Sequence, residues 1–168
     1  MTLDRRLVAI IRAQFRLEWR GIHGVPHWAR VRAWGLELAA LTGARARVVE
    51  TFAFLHDARR LAHGFDDGHG LRAARYAEQL GREQLGLDET EMRLLLRACE
   101  THSDGLLEDD VTVMTCWDAD RLDLGRVGIR PDPQRLCTAA AREPERIERA
   151  YQRSVAFRHE PPTQAGLT

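Results

Sequence analysis

Apolar residues recur along this chain at intervals of three and four, with no convincing run of strict alternation, so the expected secondary structure is helical throughout. An amphipathic stretch over about 3–19 opens the chain. Gly21 and Gly24 then break the pattern, and Pro26 stands where proline favours the first turn of a new helix. That helix covers about 26–42, with Val31, Trp34, Leu38 and Leu41 as its apolar stripe, and stops at Gly43. A third covers about 45–59, with Val49, Phe52 and His56 on one face. After the glycine-rich break LAHGFDDGHG, a fourth begins near His69, shows Ala73, Tyr76 and Leu80, and ends at Gly86. Asp88 and Glu91 have the spacing of a capping box, and the fifth stripe is Met92, Leu95, Cys99 and His102. Beyond SDGLLEDD, a sixth helix carries Val113, Trp117, Asp120 and Leu124. An arginine- and glutamate-rich helix at about 143–157 closes the pattern, and 161–168 reads as a disordered tail. The expected architecture is an all-α helical bundle forming one domain over 1–160.

Several of these stripes contain residues that do not belong in an apolar core. Short turns at Gly43 and Gly86 make the helices on either side antiparallel neighbours. His27 and His69 then stand at helix starts, and His56, Asp57 and His102 at helix finishes, all at one end of the bundle. Asp120 lies on the inward face of the sixth helix. Burying such groups without partners costs several kcal/mol apiece, and a shared cation removes that cost. His27, His56, Asp57, His69, His102 and Asp120 are therefore the candidate metal ligands.

Composition narrows the function classes. The 168 residues fit one domain, and 25 basic residues against 25 acidic leave no net charge to attract nucleic acid or a membrane surface. Lysine is absent, so every basic residue is arginine, which suits phosphate recognition. Cys99, Cys116 and Cys137 form no CxxC pair and read as reduced thiols, in keeping with a cytoplasmic location. The opening MTLDRRLVAIIRAQF is too short to span a membrane and lacks a cleavage site. No GxxxxGK loop, no GxGxxG after a strand and no GxSxG elbow occurs. Trp28, Trp34 and Trp117 read as core.

HWARV around His27, FLHDARR around His56 and Asp57, and DADRLDLGRVG around Asp120 together resemble the HD superfamily of metal-dependent phosphohydrolases. The resemblance spans roughly 23–128, and its flanking matches are HW-x-RV, HD-x-x-R and D-x-D-RLD. It implies an all-helical fold in which His27, His56, Asp57 and Asp120 bind one ion. Some members hold a second ion through two further histidines, which His69 and His102 match, with Asp57 as the bridge. Cyclic-dinucleotide phosphodiesterases of the superfamily have adjacent histidines where this chain has His102-Ser103, and the chain lacks a GYP motif. The glutamate that small pyrophosphatase members place just beyond the Asp is absent, with Arg60 near that place.

The chemistry implied is attack of a metal-activated water on a small phosphorylated metabolite or nucleotide. An imidazole-rich site suits Mn, Fe, Co, Ni or Zn better than Mg. Asp57, Arg60 and His23 are the candidate catalytic residues, and Arg60, His23 and Arg121 the candidate substrate contacts. His63 is placed at the mouth of the site, and the aspartate pairs 66–67 and 109–110 at its rim. Two other readings stand beside this one. The same ligand set resembles the diiron oxygenases built on this fold, and a ligand-binding module without turnover is the third.

Overall fold

The computed structural model describes residues 5–159. The expected tail at 161–168 lies outside them. The first helix, α1 (Arg5–Gln14), is shorter than the stripe over 3–19 suggests. Phe15 still bonds back to Ile11, but the carbonyl of Trp19 accepts from the Val25 N–H and closes a loop. The loop packs the Phe15, Trp19 and Trp28 rings edge-on at 5.1 to 5.9 Å. Aromatic packing of this kind outweighs the last turn of a helix.

Next, α2 (Val25–Thr42) has Pro26 in its first turn and ends where Gly43 adopts φ 77°, a left-handed cap closed by a bond to Ala39. Leu41, expected on the inner stripe, is 60% exposed, because the buried face runs instead through Val31, Trp34 and Leu38. A second difference falls at the HD pair. Helix α3 (Ala46–Leu55) stops short of 59, and 56–59 form a turn. Helix α4 (His69–Leu85) is interrupted at Gly81, and α5 (Glu89–Thr101) begins with the expected capping box of Asp88 and Glu91. Helix α6 (Val111–Leu122) is capped by Asp110 and leads into a 3₁₀ turn, Leu124–Val127. Helix α7 (Pro144–His159) packs back across that turn.

Among the described residues the fold is all helical, with no strand. Helix α2 lies against α3 and α6, and α4 pairs with α5, which packs on α3. Trp28, Val49, Phe52, Leu95 and Trp117 fill the space between them and are fully buried. All three cysteines are free thiols, and burial pushes Cys99 well above the ordinary thiol range and Cys137 up to about 11, leaving neither as a ready nucleophile. None of the described helices is long and apolar enough to cross a membrane.

Candidate metal centre

Four histidines from four different elements meet at one end of this bundle. His27 comes from the first turn of α2, His56 from the turn after α3, His69 from the start of α4 and His102 from the residue after α5. Each is 6% exposed or less. Their Nδ1 atoms are all engaged with acceptors. His56 donates to the Phe52 carbonyl at 3.1 Å, His69 to that of Asp66 and His102 to that of Cys99, both at 2.7 Å. His27 donates to the Asp123 carboxylate at 2.7 Å. A carbonyl can only accept, so these bonds fix the tautomers and leave the Nε2 lone pairs pointing inward.

Those lone pairs face each other. His27 Nε2 lies 3.0 Å from His56 Nε2, and His69 Nε2 lies 2.9 Å from His102 Nε2. Asp57 stands between the pairs. Its Oδ2 is 3.8 Å from His27 and 3.9 Å from His56, and its Oδ1 is 3.5 Å from His69 and 3.8 Å from His102. Asp120 Oδ1 adds to the first pair, 3.4 Å from His27 and 3.7 Å from His56. This oxygen is buried and has no hydrogen-bond partner. Ligands around one ion at metal–donor distances of about 2.0–2.2 Å lie roughly 3–3.5 Å apart, so the first set needs only small closure. The donor chemistry fits a divalent transition ion, and both sets, His27–His56–Asp57 and Asp57–His69–His102, lie within a ligating radius.

Electrostatics act in the same direction. Burial pushes His56 down to about 3, against the pull of Asp57 and Asp120, and so keeps it neutral. Burial and the neighbouring His102 also lower His69. His102 lies above its ordinary value, because Asp57 and Asp120 outweigh its burial. Burial opposes ionisation of Asp57 and Asp120. The surrounding imidazoles, with Arg126 beside Asp120, nevertheless hold both well below the usual carboxylate range.

The crystal structure of a predicted HD superfamily hydrolase from an uncultured Thermotogales bacterium superposes on this chain with a TM-score of 0.68. The identity is 26%, over 91% of this chain and 87% of the other. The two proteins share one fold, that of an HD superfamily hydrolase. No family model and no curated protein matches it. The likeness extends over nearly the whole of both chains.

Within this HD fold, the motifs flanking the ligand-type residues have a visible purpose that the sequence reading missed. Asp123, the last residue of DADRLD, is fully buried beneath His27. It accepts from His27, from Arg30 Nε and Nη2 at 2.6 and 3.0 Å, and from Ser154 of α7 at 2.8 Å. These donors hold Asp123 below the carboxylate range although burial opposes it. Arg30 belongs to HWARV, so the arginine of one motif and the final aspartate of another clamp the same imidazole. Arg126 donates to the Ile22 and Asp123 carbonyls and brings Nη2 to 3.5 Å from Asp120 Oδ1. The spacing of 120, 123 and 126 by single turns was the available signal.

The candidate catalytic and substrate residues are placed unequally. His23 is 4% exposed, with Nδ1 2.9 Å from Asp57 Oδ2 and Nε2 3.0 Å from the His63 carbonyl. Both partners are hydrogen-bond acceptors. The His63 ring stacks on it at 5.8 Å. Arg60 turns inward, toward Asp57 and His69. Arg121 is tied to the Arg135 and Leu106 carbonyls and lies over the Trp117 ring, which makes it a clamp on the loops of the rim. Asp66, Asp109 and Asp110 have structural work: Asp66 binds Arg72, Asp109 binds Arg97, and Asp110 caps α6. Over the whole centre lies a cleft of about 1450 Å³, bordered by His23, Asp57, His69, His102, Asp120 and Arg126.

Proposed function

We propose that this protein is a metal-dependent phosphohydrolase acting on a small phosphorylated metabolite or nucleotide. One observation carries the reading. His27 and His56 point their Nε2 atoms at each other across 3.0 Å, beside a buried Asp120 oxygen with no hydrogen-bond partner. A shared metal ion makes that arrangement favourable, since inward-facing imidazole nitrogens and a buried carboxylate oxygen without a hydrogen bond each cost free energy. The imidazole content favours Mn, Fe, Co, Ni or Zn over Mg. The likeness to a predicted HD superfamily hydrolase supports hydrolysis as the reaction class.

An ion held there would acidify a water and neutralise charge developing on phosphoryl oxygens. The protein's own groups supply the rest. Asp57 presents one carboxylate oxygen to each histidine pair. His23, hydrogen-bonded to Asp57 and bordering the cleft, is placed to hold and release a proton beside the reacting centre. Arg126 lies at the floor next to Asp120 and offers positive charge to a phosphoryl group. The cleft is large enough for a nucleotide-sized body as well as its phosphate.

The test is phosphate release from a panel of nucleotides and phosphorylated metabolites, by metal-free protein reloaded with each ion in turn under anaerobic conditions. Release that needs the ion and disappears in Asp57→Ala supports the proposal. Iron-dependent O₂ consumption without phosphate release would replace it with the oxygenase reading. Failure to bind any ion would leave the non-catalytic module.

A further inference from the structure

Around His69 the protein supplies a cation of its own. Arg60 Nη1 lies 3.1 Å from His69 Nε2 and 3.4 Å from Asp57 Oδ1, two of the three atoms of the second candidate set. His69 already donates through Nδ1 to the Asp66 carbonyl, so Arg60 donates into the lone pair on Nε2. A guanidinium N–H and a metal ion cannot share that lone pair. We propose that the Arg60 guanidinium stands in the second-ion position, so that the resting centre is one metal ion paired with one arginine, and a second ion enters only if Arg60 leaves. This inference rests on the metal reading of the first position.

Arg60 is fixed where it lies. Its Nε donates to the Ala62 carbonyl at 3.0 Å and its Nη2 to the Gly64 carbonyl at 2.7 Å, so both edges of the fork are anchored. Its backbone N–H bonds to the Asp57 carbonyl at 3.1 Å, which closes the turn that follows α3. The anchoring loop is itself tied down, because Asp66 accepts from the Leu61 N–H at 2.7 Å and from Arg72 of α4 at 2.5 Å. Turn, loop and the start of α4 thus form one unit that holds a permanent positive charge against His69 and Asp57.

The two halves of the centre consequently differ. Both carboxylates have an arginine nearby, but among the described residues Asp120 Oδ1 accepts no hydrogen bond and the Nε2 atoms of His27 and His56 receive none from an arginine. His69 Nε2 and Asp57 Oδ1, by contrast, both accept from Arg60. A guanidinium in this place performs part of what a second ion does in a two-metal site, neutralising charge on a phosphoryl oxygen. Arginine carries five N–H donors, and the Nη2 hydrogen not used on Gly64 is available toward the cleft that Arg60 borders. Arg60 is therefore a substrate contact made from the second-ion position. Diiron chemistry, which needs both positions filled by metal, is disfavoured by the same geometry.

The experiment is Mn(II) binding to the metal-free full chain, measured by calorimetry, elemental analysis and electron paramagnetic resonance, in wild type, Arg60→Gln and Arg60→Met. Wild type is expected to hold one Mn(II) per chain with an uncoupled six-line spectrum, and a second ion only about 100-fold more weakly. Either variant that keeps its circular dichroism spectrum is expected to hold two ions of similar affinity with a spin-coupled signal. Adding His69→Ala to that variant should return it to one. Two tight ions in wild type, or a single ion in both folded Arg60 variants, would overturn the inference while leaving the metal-dependent hydrolase intact. No ion at all in wild type would remove both readings, and that result is distinct from the other two.

Discussion

Asp123 illustrates how a residue outside the ligand set controls it. Its carboxylate fixes the His27 tautomer on one side and neutralises Arg30 on the other, at 2.7 Å and 2.6 Å. Asp123→Asn is expected to lower metal affinity by about 10- to 100-fold, because His27 loses its ionised orienting partner. The same variant takes the carboxylate charge away from buried Arg30, at a cost of about 3–5 kcal/mol. Calorimetric metal titration and urea unfolding read the two effects separately. Ser154→Ala, which removes one donor to Asp123, should cost about 1 kcal/mol. The buried imidazoles also set a pH dependence. His56 has an ordinary value of 6.5 and a folded value of about 3. As the pH falls through that window the unfolded chain takes up a proton that the folded chain refuses, so stability is lost by up to about 1.4 kcal/mol per pH unit. His69, also lowered, adds to the slope, and His102, raised, opposes it. The thermal midpoint of metal-free protein is therefore expected to drop between pH 7 and pH 5. A flat profile would mean that His56 is not held neutral.

At the scale of elements, the centre depends on how closely α4 approaches α5. A Cβ placed on Gly70 would lie 2.6 Å from both the Cys99 and Glu100 carbonyl oxygens. Only glycine at 70 lets the start of α4 sit against the end of α5, and this contact brings His69 to 2.9 Å from His102. Gly70→Ala is expected to push α4 outward at a cost of about 1–3 kcal/mol. It should loosen the His69 side while leaving first-ion affinity near wild type. Thermal unfolding and Mn(II) titration of the variant check both parts. The end of α3 shows a limit of reading elements from period alone. A helix continuing to 59 would place Arg60 one turn beyond His56 on the same face, but the helix gives way to a turn at 56–59, and Arg60 lies instead against His69. Apolar spacing carries no information about such a turn, because its stabilising bonds run to the Ala62 and Gly64 carbonyls.

Across the whole molecule, ligand-type residues from α2, α4, α6 and the turns after α3 and α5 close around one point, and α7 reaches the same point through Ser154. Binding of an ion there ties the bundle together at its open end. Saturation at 100 times the dissociation constant is expected to stabilise the fold by about 2.7 kcal/mol. Removing the metal with a chelator should lower the unfolding midpoint accordingly, with full recovery on adding the ion back. An unchanged midpoint would place the bound ion outside the bundle.

The sequence by itself determined the helical class, the order of the helices, the caps at Gly43 and Asp88, and the end of the bundle at which His27, His56, Asp57, His69, His102 and Asp120 gather. These features follow from local rules, since a period of 3.6 and short turns between antiparallel helices fix which residues share an end. Tertiary structure alone decided the rest. The Trp19 loop shortened α1, Asp123 took His27 across 96 residues, and Arg60 turned into the second position. Each of these depends on where distant backbone carbonyls and carboxylates lie in space, and hydrophobic periodicity does not encode their positions.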